Sequence, residues 1–274
     1  MKLIWSSSYL AACSCGAVSL LASCQPAVPR HQGSTAKQLH QTTNESRDFT
    51  QQIAGTTLSI QMIAVTTGNQ DASQTMPAFW IQAKEVTWDL YDTFVYELDE
   101  PGNPAEADGM TRPSKPYVTF DRGWGHAGYP ALSMSAKNAE AFCAWLSVKT
   151  DRHYQIPTQA QWTRACELSL IAEETLQSHA WFKSNANGTT HPVGEKLKSQ
   201  IGTYDMCGNV AEWVTTSNGP ALMGSSYRDV ENPIGCAVVQ VPVPDWNDSD
   251  PQIPKSQWWL ADAPFAGLRV VCVD

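Results

Sequence analysis

The stretch TYDMCGNVAEWV, residues 203–214, sets two carboxylates, Asp205 and Glu212, around Gly208 and Asn209 and places Trp213 directly behind them. Glycine and asparagine tolerate left-handed backbone, so the middle of this stretch is a turn rather than a continuous strand or helix. Two carboxylates with backbone carbonyls between them can ligate a hard cation, cap a turn or form the edge of an active site. The rest of the chain has to decide among these.

The chain opens with MKLIWSSSYLAACSCGAVSLLAS (1–23), in which one charge, Lys2, precedes a weakly apolar run ending in small residues. That is the pattern of a secretory signal segment rather than part of the fold. LASC at 21–24 matches a bacterial lipobox, in which the signal is removed before a cysteine that receives lipid. Cys24 is therefore the expected acylated N-terminus, holding the chain to a membrane without a spanning helix. Gln25 is not the aspartate linked to inner-membrane retention, so the expected location is the cell envelope, at the outer membrane, facing the periplasm or the cell surface. No other run approaches the roughly 18 apolar residues of a membrane span. Residues 24–54 are polar and poor in bulky apolar side chains, too poor to offset their ordering entropy, and read as a tether. A single domain is expected over 55–274, long enough for a core of its own.

The formal net charge is −9, and loss of Lys2 with the signal would make it more negative by one. With no basic stripe in view, nucleic acid and anionic lipid surfaces are excluded as electrostatic partners. Of the 8 cysteines, Cys13 and Cys15 lie in the signal and Cys24 is the lipid acceptor, which leaves Cys143, Cys166, Cys207, Cys236 and Cys272. In an oxidising compartment these allow up to two disulfides and a free thiol, and none forms a C-x-x-C pair.

Strand-like sequence occurs at 55–66 and at the start of 79–97. In the latter segment Trp88, Tyr91 and Val95 then take up helical spacing from about Thr87. Residues 99–129 read as loop with a short strand at YVTF (117–120). SAKNAEAFCAWLSVK (135–149) is the most clearly amphipathic helix, with Ser135 as N-cap and Ala139, Phe142, Cys143 and Leu146 on one face. A second helix follows Thr158, which forms a T-x-x-Q capping box with Gln161 and turns Trp162, Ala165 and Cys166 to the core. Beyond Lys183 the chain is short strands and turns, with ALMGSSY and AGLRVVC the best strand candidates.

In this order EVTWDLYDTF, SAKNAEAFCAWL, YQIPTQAQWTRAC, THPVG, TYDMCGNVAEWV, GSSYRD and GLRVV resemble segments of the formylglycine-generating enzyme (sulfatase-modifying factor) family, over about residues 58–273. The resemblance implies an α+β fold, a single compact domain of low regular secondary structure that is a C-type-lectin-like variant. Members oxidise a sulfatase cysteine to formylglycine, oxidise or couple sulfur compounds with iron, or serve as non-catalytic envelope lipoproteins. It further implies a calcium loop in which Asp205 and Glu212 give carboxylate oxygens and Gly208 and Val210 give carbonyls, while Asn209 and Trp213 hold the turn and the core. A second calcium position would fall near Asn185 and Ala186. The resemblance also pairs Cys143 with Cys272 and Cys166 with Cys236, leaving Cys207 as a small, half-buried free thiol.

The same resemblance exposes departures. The copper(I)-binding cysteines of the oxidising members would fall at or near Asp229 and Ile234, neither of which is cysteine, so no copper and no catalytic residue is expected. No histidine cluster suits the iron enzymes, and no G-x-S-x-G, H-E-x-x-H or phosphate loop is present. His191 in THPVG reads as a structural hydrogen-bond partner. DWNDSDP (245–251) resembles the W-N-D of sugar-binding lectins, where Asn247 and Asp248 would ligate calcium. The expected function is thus binding, or a structural subunit, in a lipid-anchored envelope protein whose partner is another envelope protein or a glycan. The alternatives are an oxidoreductase of different chemistry on the same scaffold and a calcium-dependent carbohydrate-binding module.

Overall fold

The computed structural model describes residues 47–66, 76–99, 111–230 and 236–273. The signal segment and Cys24 lie outside the described residues. Two sheets organise the domain. The first has the order β1-β2-β3-β9-β4, built from β1 (Phe49–Gln52), β2 (Ser59–Val65), β3 (Phe79–Gln82), β4 (Tyr154–Gln155) and β9 (Val271–Cys272). All of its pairings are antiparallel. The second has the order β7-β6-β5-β8, with β5 (Ala211–Thr216), β6 (Gly219–Met223), β7 (Val239–Gln240) and β8 (Ala266–Gly267). In it β8 runs parallel to β5, aligning Glu212 with Gly267. The chain between β8 and β9 therefore passes from one sheet to the other, and Arg269 lies on that crossing.

Helices form where their caps and apolar faces predict. In α1 (Trp88–Val95), Trp88, Tyr91, Phe94 and Val95 are buried. In α2 (Ala136–Thr150) the Ser135 hydroxyl accepts from the Asn138 N–H at 3.2 Å, and Ala139, Phe142, Cys143 and Leu146 enter the core. For α3 (Gln159–Ser169) the reciprocal box forms: the Gln161 N–H donates to Thr158 Oγ1 and the Thr158 N–H to Gln161 Oε1. A short α4 (Leu176–His179) follows. The core is aromatic, with Trp145, Trp162, Trp213, Trp259, Tyr91, Phe94 and Phe142 fully enclosed. Ring pairs such as Tyr91–Phe94 at 5.9 Å and Phe120–Trp259 at 4.8 Å fall in the favourable separation range for aromatic contacts.

Three expectations change. Strand β1 lies inside the stretch read as tether, so the domain begins before residue 55. Its sequence FTQQ has no apolar alternation, and it is held at the sheet edge by pairing Phe49–Gln52 with Met62–Ser59 of β2. YVTF forms turns rather than a strand, with Arg122 N–H donating to Thr119 O. Cys143 and Cys272 are not joined: both are buried thiols, whereas Cys166–Cys236 is a disulfide with Cα atoms 5.6 Å apart. Cys272 sits on β9 between Trp80 and Tyr154, its register partners on either side. The hydroxyl of Ser147 donates to Tyr154 O and accepts from Tyr154 N–H, fixing α2 over β4 and setting Cys143, one turn earlier, into the apolar core. Burial there pushes the Cys143 thiol well up.

Candidate functional site

The 203–214 loop is the hub between the sheets. Asp205 and Asn209 both take left-handed backbone, with φ of 54° and 59°. Gly208 is required by contact: a Cβ there would stand 2.6 Å from the Trp181 carbonyl oxygen. That carbonyl accepts the Asn209 N–H at 3.0 Å. The Asn209 side chain is fully buried, its Oδ1 accepting from His191 N–H at 2.9 Å and its Nδ2 donating to His191 O and to Glu85. His191 thus acts structurally, stacked on Trp181 at 3.7 Å with Nε2 against Ala186 O at 3.0 Å. Trp213 is also structural, donating from Nε1 to Met134 O at 3.0 Å.

Glu212, the second residue of β5, meets a guanidinium. Arg269 Nη2 donates to Glu212 Oε1 at 2.7 Å, and Nε lies 2.9 and 3.0 Å from the two carboxylate oxygens. Trp162 Nε1 of α3 donates to Oε2 at 2.7 Å. The remaining Arg269 donors reach Gln82 O of β3 at 2.9 Å and Tyr204 O of the loop at 2.7 Å. One fully buried arginine therefore ties β3, the loop and β5 together, through bidentate geometry that lysine could not reproduce. Arg269 is surrounded by acids. Although burial lowers its pKa, Glu212 first and then Glu85 and Asp205 raise it overall.

Glu85, between β3 and α1, was not singled out from the sequence. Its carboxylate accepts from Val210 N–H at 3.1 Å and from Asn209 Nδ2 at 2.7 Å, so it serves as the loop's anchor from 124 residues away. Complete burial, reinforced by the charges of Asp205 and Glu212, holds Glu85 well above the ordinary carboxylate range. Asp205 is pushed up to about 6 by burial, against the Gly194 N–H that donates to its Oδ2 and against the Arg269 charge. Three buried carboxylates thus share one guanidinium.

This arrangement does not fit calcium as the sequence expectation placed it at Asp205, Gly208, Val210 and Glu212. Both oxygens of Glu212 already accept two donors each, and a divalent ion beside Arg269 would meet a fixed positive charge. Asp205 Oδ1 is buried without a hydrogen-bond partner, but it and the carbonyls of Gly208 and Val210 together still fall short of the six to eight oxygens that calcium takes once Glu212 is committed to Arg269 and Trp162. Among the described residues no group of three or more His, Cys, Asp or Glu side chains is placed to hold a metal. Asn185 is likewise committed, its Oδ1 capping the Phe182 N–H at 2.7 Å and its Nδ2 donating to Ala180 O. In the lectin-like stretch Asn247 donates to Asp250 and Ser256 O and accepts from Ala261 N–H, while Asp248 pairs with Lys255 at 3.1 Å. Those groups hold a loop.

At the surface, a cleft of about 310 Å³ is lined by Trp88, Tyr96, Tyr117, Phe120 and the cluster Asp92–His126–Asp121. His126 Nε2 lies 2.7 Å from Asp92 Oδ2, Nδ1 lies 3.0 Å from Asp121 Oδ2, and the ring stacks on Trp88 at 5.3 Å. Partial burial lowers the His126 pKa, but hydrogen bonds and charge from both aspartates outweigh it and raise the net value. At the positions matched to the family's oxidising cysteines, Asp229 accepts from Ser226 Oγ at 2.8 Å, and the nearby Cys236 is bonded to Cys166. Ile234 lies outside the described residues.

Two short-stranded sheets, aromatic core and a glycine–asparagine hub locked by a buried arginine define a formylglycine-generating-enzyme-like domain. The chain belongs to that family: the sulfatase-modifying factor enzyme 1-like domain matches residues 41–232. The match stops short of β7, β8 and β9, yet those last strands complete both sheets. Three solved structures share the fold. Treponema denticola variable protein 1 aligns with TM-score 0.56 and 19% identity over 82% of this chain and 98% of its own. PvdO from Pseudomonas aeruginosa gives 0.51 and 19% over 78% and 91%, and CarF gives 0.51 and 18% over 78% and 99%. A segment of 114 residues is 26% identical to the serine/threonine-protein kinase Pkn1 of Chlamydia trachomatis serovar L2, covering 40% of this chain but only 18% of that protein.

Proposed function

We propose that the chain is a lipid-anchored envelope protein whose formylglycine-generating-enzyme-like domain works as a binding or structural module rather than as a cysteine oxidase. The observation that carries this reading is the fate of Cys236. A copper(I) oxidase needs two free thiolates side by side as soft ligands. Cys236 is the cysteine nearest in sequence to the two family positions, and it is held in a disulfide with Cys166. Asp229 and Ile234 supply no sulfur. The aromatic and acidic cleft at Trp88, Asp92, Tyr117, Asp121 and His126 offers a surface for a protein or glycan partner, the usual composition of a small-ligand site being apolar walls with a few convergent polar groups. Calcium has no part in this reading, because Arg269 occupies Glu212.

The purified domain, incubated with copper(I), oxygen and a cysteine-bearing sulfatase peptide, should leave the peptide thiol unchanged. An aldehyde product detected by mass spectrometry would overturn the proposal.

A further inference from the structure

The third buried thiol of the C-terminal half is placed against the disulfide. Cys207 Sγ, in the middle of the 203–214 loop, lies 3.9 Å from Cys166 Sγ, little more than van der Waals contact between sulfurs. Cys207 and Cys166 are both buried, whereas Cys236 is partly exposed on the loop leading to β7. Cys236 is held there by its bond to Cys166 and by Thr163 Oγ1 donating to its carbonyl at 3.3 Å. Cys166 thus has Cys207 within sulfur–sulfur contact and is bonded to Cys236, the most exposed of the three.

We infer that these cysteines form a thiol–disulfide relay: Cys207 can displace Cys236 from Cys166, so the chain has two disulfide states and one of them releases Cys236 as a surface thiol. The exchange is balanced within the protein. The Cys207 thiol, pushed up to about 12 by burial first and then by the Glu212 charge, passes its proton to water and its sulfur attacks Cys166 Sγ, so the exchange speeds up as pH rises. The Cys166–Cys236 bond breaks as Cys166–Cys207 forms, and Cys236 leaves as thiolate and takes up a proton. No oxidant is consumed, because one disulfide and one thiol are present before and after. The released Cys236 could then react with an electrophile or exchange with a partner's disulfide, while the buried pair keeps α3 and the loop cross-linked.

The test uses the native chain and N-ethylmaleimide as the thiol probe, followed by non-reducing trypsin digestion. Cleavage after Arg164, Lys183, Lys198, Arg228 and Lys255 puts Cys166, Cys207 and Cys236 in three separate peptides. The expected result is time-dependent maleimide on Cys236 together with a Cys166–Cys207 cross-linked peptide, and loss of that labelling in the Cys207→Ser variant. A Cys236→Ser variant treated with oxidised glutathione should form Cys166–Cys207 while keeping the wild-type circular dichroism. The inference is overturned if Cys236 stays unlabelled in the folded wild type, or is labelled equally in Cys207→Ser. It is also overturned if Cys236→Ser, still folded, leaves Cys166 and Cys207 reduced.

Discussion

Replacing Arg269 by methionine removes the buried cation from a cluster holding Glu212, Asp205 and Glu85, and it also orphans the carbonyls of Gln82 and Tyr204. Breaking a buried ion pair by deleting one partner costs about 3–5 kcal/mol, because the other charge stays buried without compensation. For a domain of this size each kcal/mol lowers Tm by roughly 2–4 °C, so a drop of roughly 6–20 °C is expected in a thermal melt followed by tryptophan fluorescence. The pH dependence carries a distinguishing sign. Asp205 has a folded pKa of about 6, raised from an ordinary 3.8, so the stability linked to its protonation is present below 3.8 and lost as pH rises through about 6. Arg269 lowers that pKa, and its removal raises it further, so the damage should be larger at pH 8 than at pH 5. Adding Glu212→Gln to Arg269→Met should recover part of the loss, since neither charge of the pair then remains. A drop under about 1 kcal/mol, or one of equal size at both pH values, would refute the electrostatic reasoning.

Three further outcomes follow from the same contacts. Glu85→Ala leaves Val210 N–H unpartnered in the core and Asn209 Nδ2 bonded only to His191 O, and should cost about 1–3 kcal/mol in urea denaturation, read as a lower midpoint at unchanged slope. Reducing Cys166–Cys236, which closes a sequence separation of 70, should cost up to about 4 kcal/mol by loop entropy, measured by unfolding with and without reductant. His126 should titrate above its ordinary 6.5 by NMR; its clasp on Asp92 and Asp121 is fully present below 6.5 and lost as pH rises through the folded value. With His126 about half exposed, its removal should cost no more than about 1 kcal/mol.

The local grammar of the fold was readable from the chain. Ser135 and the Thr158–Gln161 box lie within one turn of the groups they cap, and Phe142, Leu146, Trp162 and Ala165 recur at helical spacing. Short-range chemistry leaves a short-range pattern. Strand β1 left none, because an edge strand held by backbone pairing needs no apolar alternation in FTQQ. The hub was recognised through Gly208, Asn209 and the two carboxylates, but its wiring was not. Glu85 meets Asn209 across 124 residues and Arg269 meets Glu212 across 57, and nothing in local spacing encodes such pairs. For that reason Glu212 read as a cation ligand when it is an arginine partner. The cysteines divide in the same way: family resemblance paired Cys166 with Cys236 rightly, but the approach of Cys207 to that bond exists only in three dimensions.

Calcium titration tests most directly whether Arg269, rather than a bound ion, balances the loop. The Tm of the wild-type domain should be the same in excess chelator and in calcium, since no saturable site is filled on folding. A site filled to about 100 times its Kd would add about 2.7 kcal/mol, or several degrees. A calcium-dependent rise of that size, abolished by Asp205→Asn, would contradict the assignment of Glu212 to Arg269.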